Sequence, residues 1–328
     1  VLCRNNGHAL WVSRHLRAAD IEHVVQRGAT ARSVAPWVAS VIRATGGGVM
    51  NRERFDRTLA VVDGEINPGS VWPSLRRVAW TDLGIDLDRL VHRLREGNVP
   101  DELHTAPSAD IVVSTVHRAK GLEFDRVVIV DEGWKAPFDD EAARTLFVAV
   151  SRTIETLATV SLPEVFGRLQ TDKWTERWVH GGWEPWKRFG MEFRPDDVET
   201  RHPAGSVILN KDAAHIQQLL ADEVQPGDDV VVEFIRPNIG SAGAFYKVVW
   251  QDQDIGMMSE RFGVELMGVL KAASSWQYPK RIEELSIDAI RTIGGDSLIT
   301  NQDGLGPGGA WLAPSIGGLG KFIWKEPQ

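Results

Sequence analysis

One cysteine, Cys3, is all that the 328 residues contain. Its isolation excludes an internal disulfide framework and any zinc site built from several cysteines, and it fits a reducing compartment, so a cytoplasmic setting is expected. No apolar run reaches the length of a membrane-spanning helix and no secretory signal pattern opens the chain, so no membrane partner is expected. His8, His15, His23 and His92 share no metal-ligand spacing with one another or with carboxylates; they read as helix-surface or satisfied polar groups, with no metal site. An excess of basic residues is lacking as well. The net charge of −8 excludes phosphate binding by bulk electrostatics and leaves any nucleic-acid contact to particular loops. Finally, no Gly-x-x-x-x-Gly-Lys-Ser/Thr loop occurs, since the lines Gly240-Ser-Ala-Gly243 and Gly304-Leu-Gly306 lack the Lys-Ser/Thr that would follow.

What is present is an ordinary globular composition, 43% apolar and 25% charged, in a chain long enough for two or three cores. It opens at Val1 inside an apolar strand-like run, which predicts a further part upstream. Strand, helix and strand are expected over Val1–Cys3, Gly7–Ala19 and Ile21–Gln26, followed by a helix near Ser33–Arg43 and the breaker Gly46-Gly47-Gly48. From Arg52 to Glu96 the pattern is mostly helical, interrupted by Asn67-Pro-Gly-Ser70 and Pro73. Strands at Ile111–Val116 and Arg126–Asp131, a helix near Glu141–Thr153 and a strand near Leu157–Leu162 restore the alternation that implies a parallel sheet covered by helices. Trp174, Trp178, Trp183 and Trp186 then fall in a segment that reads as a connector, its tryptophans packing more than stacking on bases. Short β-rich runs at Asp229–Ile235, Phe245–Gln251, Val264–Leu270 and Gly309–Trp324 predict a small barrel or sandwich. The expected division is an α/β domain over 1–162 with a helical insert at about 29–108, a Trp-rich connector over 163–202, and a β-rich domain over 203–328.

Between two of those strands runs Thr115-Val-His-Arg-Ala-Lys-Gly-Leu-Glu-Phe-Asp125, a polar loop that no core requires. Thr115 and His117 offer donors and acceptors suited to a nucleic-acid backbone, and Lys120 adds a positive charge. Gly121 permits close backbone approach, and Glu123 can accept from a sugar hydroxyl. A little further on, Glu141-Ala-Ala-Arg-Thr-Leu-Phe-Val-Ala-Val-Ser-Arg152 places Arg144 and Arg152 eight residues apart, about 80° around an ideal helix, so that both can lean toward one ligand.

These two stretches resemble motifs V and VI of the UvrD/Rep-type superfamily 1 DNA helicases, and Val-Leu-Cys-Arg-Asn-Asn at the start is similar to motif IV. The resemblance covers about residues 1–162. It implies a second RecA-like domain in which Arg152 reaches the γ-phosphate of ATP, Arg4 and Arg144 also attend the phosphates, Glu123 holds the nucleotide sugar with Gly121 also at the nucleotide, and Thr115, His117 and Lys120 hold single-stranded DNA. ATP and Mg2+ would be bound mainly by an N-terminal RecA-like domain of the same protein, so this chain alone should not turn over ATP. The short interval between motifs IV and V resembles the compact F-box DNA helicase branch, and the UvrD-like branch implies 3′-to-5′ movement. Two other readings stay open: a transcription-associated, helicase-like ATPase that remodels RNA polymerase, and a nonenzymatic interaction module whose C-terminal region meets a protein partner.

Overall fold

The computed structural model describes residues 1–328 apart from 27–32, 106–108, 132–139, 162–168, 182–187, 206–210, 236–243, 273–276 and 325–328. The first elements are β1 (Leu2–Cys3), α1 (Asn6–Ala18) and β2 (Val24–Val25). The insert follows with β3 (Ser33–Val34), α2 (Pro36–Thr45), β4 (Val49–Met50), α3 (Arg52–Val62), α4 (Pro68–Ala79), the pair β5 (Trp80–Thr81) and β6 (Gly84–Asp86), α5 (Leu87–Arg95) and β7 (His104–Thr105). Then come β8 (Val112–Thr115), β9 (Phe124–Asp131), α6 (Asp140–Val150) and β10 (Thr153–Ser161). The remainder holds β11 (Leu169–Thr171), β12 (Trp178–Gly181), β13 (Arg188–Phe193), α7 (Ala213–Asp222), β14 (Asp229–Ile235), β15 (Phe245–Trp250), β16 (Gln253–Met257), α8 (Glu260–Leu270), β17 (Arg281–Gly294), α9 (Ser297–Gln302) and β18 (Ala310–Ile323).

The α/β part builds a parallel sheet in the order β10-β9-β1-β8-β2. Its inner strands are continuous apolar runs because both faces are covered. On one face Ala9, Leu10 and Val12 of α1 meet Cys3, Val113 and Val130; on the other Ala149 of α6 meets Leu2, Val127 and Ile129. Helix α1 starts where Asn5 accepts from the His8 backbone N–H at 2.9 Å, a cap that satisfies one of the orphan donors of the first turn.

The C-terminal part is one antiparallel sheet of eight strands, in the order β11-β12-β13-β18-β17-β14-β15-β16. The expected architecture, a parallel α/β sheet followed by a β-rich part, is therefore present. Strands of the stretch read as a Trp-rich connector, β11 to β13, are part of this sheet. Trp178 is half-buried and packs on α1 beside His8, with ring centroids 6.2 Å apart, whereas Trp174 remains 63% exposed; Trp183 and Trp186 lie outside the described residues. Val264–Leu270, expected to be extended, is helical. Ser259 caps α8 by accepting from the Phe262 N–H, and Phe262, Leu266 and Val269 fall on one buried stripe. That 3.6-residue period decides the conformation over the local β-branched content.

The insert buries its apolar residues against this second sheet: Trp37, Ile42, Leu90 and Val91 share one core with Ile287, Ile290 and Leu312. Polar anchors fix the fit, since the Thr292 hydroxyl donates to the Ala35 carbonyl at 2.6 Å and accepts from the Ala39 N–H at 3.1 Å.

Arg177, fully buried just ahead of β12, locks the former connector to its surroundings. It donates to both Asp197 carboxylate oxygens, at 2.7 and 2.5 Å, and to Glu265 of α8 at 2.6 Å. Burial opposes its charge, but the hydrogen bonds and fields of Asp197 and Glu265 outweigh that and raise its pKa. Arg177→Ala leaves the buried Asp197 without its cation and Glu265 with Arg261 alone, and a loss of about 3–5 kcal/mol in unfolding free energy is expected. Urea titration measures it; a loss below about 1 kcal/mol would show the cluster to be dispensable.

Candidate nucleotide and DNA site

Thr115 ends β8 opposite Cys3 of β1, at the C-terminal edge of the parallel sheet. From there the chain winds through a helical turn, with Ala119 N–H donating to the Thr115 carbonyl and Leu122 N–H to that of Ala119, and it reaches the opposite edge of the sheet at Phe124. The Thr115 hydroxyl is buried and accepts from the Arg118 N–H at 3.4 Å, so it shapes the turn. His117 and Lys120 stand exposed on the outside of it, and Gly121 takes the left-handed conformation, φ +85°, that closes it.

Arg152 follows the last turn of α6. Its guanidinium donates to the carbonyls of Leu122 at 3.0 Å and Val148 at 3.1 Å and to the Ser151 hydroxyl at 3.0 Å, while its own carbonyl accepts from Phe124 N–H. Three of the five guanidinium N–H groups are thus engaged and two are left to meet a ligand. The exposed Glu123 adjoins this contact, so Gly121, Glu123 and Arg152 form one local group. Exposed apolar side chains flank it: Leu122, Phe147, Val150 and Ile154, with Phe147 at 74%.

Two expected members stand apart. Arg144 is exposed two turns back along α6, about 12 Å along the helix axis from Arg152. Arg4 leaves β1 at the same edge as Thr115. Leu2 is level with Ile129, five residues along β9 from Phe124, so Arg4 and the Arg152 group are separated by about 17 Å or more along the strands. Sequence order alone carries no information about which edge of a sheet a residue occupies.

Other participants have weaker signals. Arg118 donates to the Gln26 carbonyl at 2.9 Å, and Ser114 donates to the Gln26 side chain at 2.7 Å, tying the root of the turn to β2. Arg118 lies within the motif, but nothing in the sequence points to Gln26. His8 was expected on a helix surface or satisfied; it is 5% exposed, beside Arg4 and Trp178. Among the described residues no group of three or more His, Cys, Asp or Glu is arranged to hold a metal ion, and no helix is long and apolar enough to cross a membrane.

The crossover turn of the parallel sheet thus presents a cation and a carboxylate and is braced by an arginine that follows the next helix. Residues 110–159, from the start of β8 into β10, match the family model of the UvrD-like helicase C-terminal domain. That segment is similar to the C-terminal region of UvrD-type helicases. Comparison with curated proteins and with solved structures returns no match.

Burial, and after it the nearby Arg4 charge, lowers the His8 pKa to about 4 from its ordinary 6.5. The unfolded chain therefore takes up a proton below pH 6.5 that the folded chain refuses, so this contribution is complete above 6.5 and is lost as the pH falls toward 4. The protein is expected to lose more unfolding free energy between pH 7 and 4.5 than its His8→Gln variant does. Parallel pH profiles for the two would exclude His8 as the cause.

Proposed function

We propose that this chain supplies the second motor half of an ATP-driven superfamily 1 DNA helicase or translocase, moving 3′ to 5′ on single-stranded DNA. One observation carries the reading: the Arg152 guanidinium is hydrogen-bonded to the Leu122 carbonyl inside the motif V turn, so the phosphate-seeking end of α6 and the DNA-facing turn move as one piece. His117 and Lys120 contact the DNA backbone from the outer side of the turn that Thr115 shapes. Glu123 and Gly121 meet the nucleotide sugar, and the two remaining Arg152 donors meet the terminal phosphate, where a guanidinium stabilises charge that develops in the transition state. ATP, when bound, supplies the phosphoryl group transferred to water, and Mg2+ neutralises its charge.

The exposed apolar rim of Leu122, Phe147, Val150 and Ile154 supports a cleft completed by an N-terminal RecA-like domain that carries the Walker-type loop and most of the metal ligands. Arg144 and Arg4 then join the phosphates only if that domain bridges the separation along the sheet. The short insert, helices α2 to α5, supports the compact branch of the superfamily.

In a polypeptide that carries both motor halves, Arg152→Ala is expected to lower DNA-stimulated ATP turnover by about three powers of ten while DNA affinity stays within about threefold. Steady-state ATPase and anisotropy assays read the two quantities, and unchanged turnover would remove Arg152 from the reaction. The 328-residue chain alone is expected to show no ATPase activity above background.

A further inference from the structure

Away from the parallel sheet, β5 and β6 form a tight hairpin at the end of α4, and β6 also pairs with β4. Gly84 anchors it: a Cβ at this position would lie 2.5 Å from the Met50 carbonyl oxygen, and its φ of +142° disfavours other residues, so the hairpin sits hard against β4. The Thr81 hydroxyl closes the turn by donating to the Gly84 carbonyl at 3.0 Å. This fixed turn carries Leu83 at its tip, 79% exposed, and Trp80 at its base, 40% exposed. An apolar tip on a rigid scaffold loses free energy to water that folding does not recover.

Two guanidinium groups converge on Trp80. Arg76 lies over its ring, 4.3 Å from the centroid, and Arg89 donates to its carbonyl at 3.4 Å. Both arginines are exposed, and neither forms an ion pair with a described carboxylate. Asp82 in the turn is the acidic neighbour, and Asp86 caps α5 by accepting from the Arg89 backbone N–H. An indole and a leucine beside two guanidiniums that form no ion pair among the described residues match an unpaired nucleotide strand: a base stacks on the indole, the leucine adds apolar contact, and phosphates meet the cations. In a chain of net charge −8, nucleic-acid contact must come from such local groups.

The geometry points to the Trp80–Leu83 hairpin, flanked by Arg76 and Arg89, as a second contact for single-stranded DNA, separate from the turn at His117 and Lys120. This assignment rests on the DNA-motor reading.

The test uses the 328-residue chain and a fluorescein-labelled oligothymidine at low salt, read by anisotropy. Trp80→Ala is expected to weaken binding about tenfold, within the range for loss of one base–aromatic stack, and Trp80→Phe to stay within about threefold of the unaltered chain. Leu83→Asp, at an exposed tip where folding is undisturbed, is expected to weaken it as well, and Arg89→Gln to flatten the dependence on salt. His117→Ala with Lys120→Ala serves as the comparison. If that pair weakens binding while Trp80→Ala and Leu83→Asp leave it unchanged, the hairpin assignment is overturned and the motor reading stands. If the unaltered chain does not bind the oligonucleotide, both fall.

Discussion

Helix α1 is wedged between the two sheets, and the arrangement of the molecule depends on that wedge. One side of it covers the parallel sheet through Ala9, Leu10 and Val12, in a cluster that also takes in Leu169 and Leu319 of the antiparallel sheet. Arg14 pairs with Glu284 of β17, which also meets Lys321 of β18. Because α1 follows directly from β1, the strand that joins β8 to β9, any shift of the antiparallel sheet bears on the middle of the parallel one. The rigidity comes from dense apolar packing, which transmits displacement where a solvated linker would absorb it.

The half-site shows the same economy at smaller scale. A single guanidinium joins the end of α6 to the turn that leaves β8, and the turn in turn is rooted through Arg118 and Ser114 on Gln26. Two carbonyls and a hydroxyl hold the Arg152 guanidinium without compensating its charge, which leaves a cation at the end of α6. The surrounding apolar side chains lower the local dielectric once another surface covers them, which strengthens that attraction.

Much of this was legible from residue order. The alternation of apolar runs gave the strands near Ile111 and Arg126, and the run from Thr115 to Asp125 located the turn. Three features were not legible, each for a physical reason. Val264–Leu270 contains β-branched Val264 and Val269, typical of strands, and a glycine that weakens a helix, and its helix depends on a cap at Ser259 and on burial that only tertiary contacts supply. The tryptophan-bearing stretch around Arg177 reads as a loop because its strands are short and its lock is a charge, which ordinarily marks a surface. The distance between Arg4 and Arg152 follows from strand pairing, which local pattern does not encode.

The shared core of the insert and the antiparallel sheet also sets an order of events during synthesis. Ala35 and Thr292, hydrogen-bonded to each other, are 257 residues apart along the chain. Helices α2 and α5 emerge from the ribosome long before β17 and β18, the surfaces that bury Trp37, Ile42 and Leu90. Until those last strands arrive, the insert's apolar stripes have no native cover, and closing so long a loop is slow. Until β17 and β18 have been made, the nascent insert is therefore open to aggregation or to chaperone capture.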